Sequence, residues 1–166
     1  MTLHDASPTE AGAEIELVGF VAGGQSFGLA IEDVHEIRRW SPVTVMPHAP
    51  DEMLGVMNLR GAVLPIFDLS ALLGLGATPQ RPRNVVLIAT HGGHPLGLLV
   101  EAVATIVTTS AAEIQPPPDI RHQTARRTVS GVITVGADMM RIIDLAALLA
   151  PVTLPAAHLL SGGDAA

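Results

Sequence analysis

The chain has 166 residues, 48% of them hydrophobic, with 16 acidic residues against 9 basic ones and a formal net charge of −7. That balance, together with one Trp, three Phe and no Tyr, excludes the basic face and the base-stacking platform of a nucleic-acid binder. Cysteine is absent, which excludes disulfides, thiolate metal sites and a cysteine nucleophile. A chain of this size buries about two-thirds of its unfolded surface, so it needs no metal or disulfide staple to fold as one domain or as two small lobes sharing a core.

Residues 1–13 are rich in small, turn-forming and charged residues and read as a flexible N-terminus; their acids, and the lack of a basic stretch before an apolar one, exclude a signal peptide. Strand-length apolar runs follow at Ile15–Val21, Phe27–Ile31, Val56–Leu59 and Val63–Phe67. Asp68 then predicts an N-cap opening about two helical turns over Leu69–Leu73, closed by Gly74. Two more runs, Val85–Ile88 and Leu96–Val100, flank His91-Gly92-Gly93-His94. That string has a tempting metal spacing, but Gly-Gly between strand-like runs is a hairpin signal, and two histidines without a third ligand make a poor zinc site. Val132–Val135 and Met139–Ile143 complete the strands, and Asp144 predicts a second cap before Leu145–Leu149, stopped by Pro151. Residues 152–166 read as a loose C-terminal tail. The most apolar window, Ile142–Leu160, is broken by Asp144, Pro151 and Pro155, so no membrane insertion is expected. Short Val- and Ile-rich runs bounded by Gly and Pro predict an all-β fold.

The chain repeats itself. Phe27–Ile37 laid over Leu96–Ile106 matches at five of eleven positions, including Gly28/Gly97, Val34/Val103 and Ile37/Ile106. Gly55–Gly74 over Gly131–Ala150 matches at eight of twenty, including Gly55/Gly131, Asp68/Asp144 and Leu72/Leu148. Two similar lobes of about 70 residues are expected, each with strands first and a short helix last; two copies at so long a period are no solenoid. The copies disagree informatively: Glu36 meets Thr105 and Arg60 meets Gly136. A charged pair present in one copy only is surplus to the shared scaffold, and Glu36 and Arg60 are expected to form a hydrogen-bonded ion pair.

These residues also carry a resemblance. Gly55-Val-Met-Asn-Leu-Arg-Gly-Ala-Val-Leu-Pro-Ile-Phe-Asp-Leu69 resembles the signature of CheW-like coupling domains, a GxxNLRG turn containing Asn58, Arg60 and Gly61 followed by a PIxDL strand end. Val34-His35-Glu36-Ile37, the Val45–Pro50 loop, Gly97–Val103 and Ile114–Pro118 resemble further landmarks of that family in order. The resemblance implies two five-stranded SH3-like β-barrel lobes sharing a core, with short helices, over residues 14–151. It implies a non-catalytic cytoplasmic adaptor that couples chemoreceptors to a CheA-type histidine kinase by binding the receptor's cytoplasmic tip and the kinase regulatory domain. Coupling in a non-flagellar pathway, serving type IV pili or a second messenger, is the alternative, and a kinase-binding decoy a third. Partner-binding residues carried over are Val34, Glu36, Gly55, Asn58, Arg60 and Gly61 on the first lobe and Gly97, Val103 and Ile106 on the second.

Departures from the family pattern are Glu101, where Asp is usual, the run Pro116–Pro118 and the basic segment Arg121–Arg127, to which no role attaches. No cofactor, metal or catalytic residue is expected: the chain contains no Ser-His-Asp order, phosphate loop or dinucleotide fingerprint, and the paired Asp68 and Asp144 read as helix caps.

Overall fold

A computed structural model describes residues 13–117 and 127–152. All but residues 13 and 152 of the two expected tails, Pro118 and most of the Arg121–Arg127 segment lie outside these residues.

Among the described residues ten strands run in chain order: β1 Glu14–Ala22, β2 Gln25–Ala30, β3 Glu36–Arg39, β4 Met53–Leu59, β5 Ala62–Asp68, β6 Val85–His91, β7 His94–Val100, β8 Ala102–Ser110, β9 Val129–Val135 and β10 Asp138–Ile143. Helix α1 covers Leu69–Leu72 and α2 covers Leu145–Leu149, with single 3₁₀ turns at Ile31–Asp33 and Ala111–Glu113. Every predicted strand is present. The sequence reading omitted β3 and β8, and α1 is one turn rather than two.

Both aspartate caps form. The Asp68 carboxylate accepts from Ser70 N at 3.2 Å, and the Asp144 carboxylate accepts from Ala147 N at 3.1 Å. The equivalence stops there. Asp68 is buried and also accepts from the Thr78 backbone N–H at 2.7 Å and its hydroxyl at 2.6 Å, tying the α1–β6 connection to the strand end. The Asp144 cap is exposed.

The strands form two five-stranded sheets, β8-β1-β2-β10-β9 and β3-β6-β7-β5-β4, called the β1 lobe and the β3 lobe. Neither lobe is one repeat. Each takes the first hairpin of one repeat (β1–β2 or β6–β7) and the three later strands of the other. The joints are parallel: Ile142 on β10 pairs with Gly28 on β2, and Ile66 on β5 pairs with Gly97 on β7. The expectation of two consecutive lobes is therefore corrected. The repeats are consecutive in sequence, but their hairpins are exchanged in space.

Three apolar clusters follow from this. The largest joins the lobes, with Phe20, Phe27 and Leu29 from one and Phe67, Leu87 and Leu98 from the other, closed by Leu148 and Leu149 of α2. Phe20 and Phe27 stack with centroids 6.0 Å apart. Each fully buried side chain of this size is worth about 1.5–3 kcal/mol. Smaller clusters fill each barrel: Leu64, Ile66, Val86 and Ile88 in the β3 lobe, and Leu17, Ile133, Met140 and Ile142 in the β1 lobe.

The His91–His94 string makes the predicted hairpin turn, with His91 paired to His94 and Gly92 and Gly93 at φ 60° and 83°. Among the described residues no group of three candidate ligands is placed to hold a metal ion, and no helix is long and apolar enough to cross a membrane.

Candidate partner-binding site

The β4–β5 connection begins the site. Leu59 pairs with Ala62, leaving Arg60 and Gly61 as a two-residue turn with φ values of 52° and 85°. Two positive φ angles give the turn whose twist matches a hairpin. Gly61 N donates to the Asn58 side-chain oxygen at 3.1 Å, which locks the turn from its N-terminal side. Asn58 and Gly61 thus shape the turn that presents Arg60.

Arg60 crosses to β3. Its Nη1 and Nη2 donate to Glu36 Oε1 at 2.9 and 2.6 Å, so the expected pair is present. Glu36 has a second partner that the sequence reading missed: Arg38 Nη1 donates to Oε2 at 2.8 Å. Residues two apart on a strand share a face, and that spacing could have revealed Arg38. The carboxylate is held from both sides, and the Arg60 side chain stays 66% exposed while Glu36 is 28% exposed. The cluster has two guanidinium groups to one carboxylate, and is therefore cationic.

The other side of β3 carries Ile37 beside Arg39. Ile37 pairs with Leu87, a residue of the shared core, yet is 46% exposed because β3 is the edge of its sheet. Its repeat counterpart Ile106 lies on β8, the edge of the other lobe, and is 47% exposed. Val34 and Val103, also counterparts, both pack partly buried against the shared core. The site therefore has two related apolar edges, of which only the β3 edge carries charge. Ile37 belongs with Ile106 and was missed, although the repeat alignment had already matched the two.

The glycines fall elsewhere. Gly55 and Gly97 flank Ile66, paired to it from β4 and β7. Gly55 has φ 151°, and a Cβ there would lie 2.4 Å from the Thr44 carbonyl oxygen, so its missing side chain admits the chain's own 43–44 segment. A Cβ on Gly97 would meet Ile66 Cδ1 at 2.6 Å and Val86 Cγ1 at 2.7 Å, inside the β3-lobe barrel. Gly97 therefore lies in the same lobe as Glu36 and Arg60, not in the second with Val103 and Ile106 as expected from chain order. Exchange of the β6–β7 hairpin is the reason.

Glu101, the departure from the family pattern, accepts from Gly24 N at 2.7 Å and pins the β1–β2 turn.

Residues 16–152 match the CheW-like domain family. The chain belongs to that family. It is 46% identical to "Chemotaxis protein CheW" of Rhizobium meliloti over 130 residues, 78% of this chain and 84% of the relative. It is 30% identical to the protein of the same title from Klebsiella aerogenes, over 81% of each chain. The crystal structure of the scaffolding protein TtCheW from Thermoanaerobacter tengcongensis superposes with a TM-score of 0.73 at 31% identity, covering 81% of this chain and 87% of that one. Ten strands in two SH3-like five-stranded lobes around one core are thus the CheW-like architecture, and the Glu36–Arg60 pair decorates one lobe of it.

Proposed function

We propose that this chain is a non-catalytic cytoplasmic adaptor of chemotaxis signalling that couples chemoreceptors to a CheA-type histidine kinase. The observation that carries the reading is the Arg60–Glu36–Arg38 cluster beside a half-exposed Ile37, built on one repeat and absent from the other. An aliphatic edge with fixed charges fits a partner helix that offers apolar residues at i, i+3 and i+4, burying surface at about 25 cal/mol per Å². The receptor's cytoplasmic tip is that partner in our reading, with Val34, Ile37, Val103 and Ile106 as the apolar contacts and Arg60 as the polar one. The kinase regulatory domain occupies a separate surface. Likeness to proteins titled chemotaxis protein CheW supports the coupling role.

A second reading, coupling to an output other than flagellar movement, draws on the likeness to "Protein FrzA" of Myxococcus xanthus, 31% identical over 113 residues. The higher identity to the Rhizobium meliloti protein favours the first.

Reconstitution with the cognate receptor and kinase tests the proposal, with wild type set against Arg60→Glu and the fold checked by circular dichroism. Lost kinase coupling in a folded variant supports it. Unchanged coupling removes Arg60 from the site, and unfolding makes its role structural.

A further inference from the structure

Basic residues are scarce in this chain, yet they gather at one place that the coupling role does not explain. Residues 37–50 and 69–100 contain no Asp or Glu, although the whole chain carries −7. Within those stretches lie Arg38, Arg39, Arg81 and Arg83. Arg38 is taken up by Glu36; Arg39, Arg81 and Arg83 are exposed and form no ion pair among the described residues.

The fold brings these three together. Arg81–Asn84 is a turn closed by Asn84 N donating to Arg81 O at 2.9 Å, and Trp40 N donates to Asn84 O at 3.0 Å, which docks the turn against the end of β3. Arg39 pairs with Val85, the first residue of β6, so Arg39 stands at the end of the ladder against which the Arg81–Asn84 turn docks. Ile37 and Arg39 share a face of β3, being two residues apart on it, about 7 Å along the strand. A half-exposed isoleucine therefore lies on the strand that runs into three exposed arginines, in stretches of sequence that contain no acid.

We propose that Arg39, Arg81 and Arg83 extend the β3 edge of the partner site and select a receptor helix carrying carboxylates one to two turns beyond the residue that packs on Ile37. This rests on the coupling reading and adds to it the chemistry of the partner. The spacing fits a helix, whose turns rise 5.4 Å, so a carboxylate one to two turns on lies level with Arg39 and the docked turn beyond it. The choice of arginine fits as well, since its planar fork takes a carboxylate through two parallel hydrogen bonds. The three charges lie beyond the Glu36–Arg60 cluster, so they act on partner choice without disturbing the pair.

The test titrates the cytoplasmic signalling fragment of the cognate receptor, and separately the kinase regulatory domain, against wild type, Arg39→Glu/Arg81→Glu/Arg83→Glu and Arg39→Gln/Arg83→Gln across a salt series. Wild-type affinity for the receptor fragment should fall with salt, and the triple variant should bind it at least tenfold more weakly with a flattened salt dependence. The glutamine variant should fall between, and kinase-domain affinity should stay within twofold. If folded variants bind the receptor fragment like wild type, this inference fails and the coupling reading stands. If wild type does not bind the receptor fragment, the coupling reading fails first and takes this one with it. If the variants self-associate but bind normally, the arginines are guards of an open sheet edge, and the inference is overturned.

Discussion

Arg60 and Gly136 occupy the same place in the two repeats, the first residue of a tight turn, with φ values of 52° and 62°. Glycine accepts this left-handed backbone freely, whereas a residue with a Cβ pays about 1 kcal/mol for it. One repeat uses the residue the turn favours. The other keeps an arginine there, whose side chain reaches Glu36 through a pair that is largely exposed.

Arg60→Gly should therefore leave the fold as stable as wild type or up to about 1 kcal/mol more stable, while receptor binding drops at least tenfold. Urea denaturation and a receptor-fragment titration on the same preparation check the two halves. A destabilised variant with intact binding would reverse the roles assigned to this residue.

Glu36→Ala, Arg60→Ala and the double variant should couple by less than about 1 kcal/mol in stability, because an ion pair this open gains little net energy. In receptor affinity the same cycle should be strongly non-additive, since losing Glu36 frees Arg60 and losing Arg60 leaves Glu36 held by Arg38 alone. Additivity in both measurements would show that the pair does nothing as a unit. Arg38→Ala should act in the same direction as Glu36→Ala but less, because Arg60 still holds the other carboxylate oxygen.

Gly55 and Gly97 should differ in their response to a methyl group. Gly55→Ala drives a Cβ into the Thr44 backbone at a positive φ, and should cost about 3 kcal/mol or more. Gly97→Ala meets only the ends of the Ile66 and Val86 side chains, and should cost about 1–3 kcal/mol through overpacking. Denaturant midpoints give the order. If both variants fold normally and lose receptor binding instead, the glycines contact the partner after all.

Among the described residues, Asp33 carries a clear pH signature. Burial chiefly raises its carboxyl above the ordinary 3.8, the nearby Glu32 and Asp144 carboxylates raise it further, and His35 opposes them. The folded state therefore holds this proton more tightly than the unfolded chain. Stability contributed by the protonated form is complete below 3.8 and is lost as pH rises from there through the raised folded value. Asp33→Asn should remove that loss, so the stability of the variant minus that of wild type should grow with pH across this window and then level off. A difference that is flat across the window would mean Asp33 does not titrate with folding.

Much of this was legible in the residues themselves. Val-, Leu- and Ile-rich runs between Gly and Pro gave eight strands, and the two Asp-Leu pairs gave both caps. β3 escaped because Glu36-Ile37-Arg38-Arg39 is short, charged and at an edge, and β8 because Val103–Ser110 mixes Thr with its aliphatics. The exchange of hairpins was invisible because it rests on short parallel pairings between distant segments, such as Phe67 with Leu98, which leave no local trace. The Glu36–Arg60 contact, 24 residues apart, was found by asking what one repeat has and the other lacks. Arg38 and Ile37 lay in the same stretch and needed only the alternation of a strand. The lobe of Gly97 was misjudged because chain order was taken for lobe membership.

The crossed hairpins bear on how such a chain could arise and be taken apart. A single repeat cannot complete either sheet, since its opening hairpin belongs with another copy's closing strands. Two identical copies trading those hairpins would make a symmetric dimer, and joining them end to end through the Gly74–Asn84 stretch yields the present arrangement. Cutting the chain there would leave two halves with unfinished sheet edges, each the complement of the other, a natural starting point for a split reporter that regains its fold only when both pieces meet.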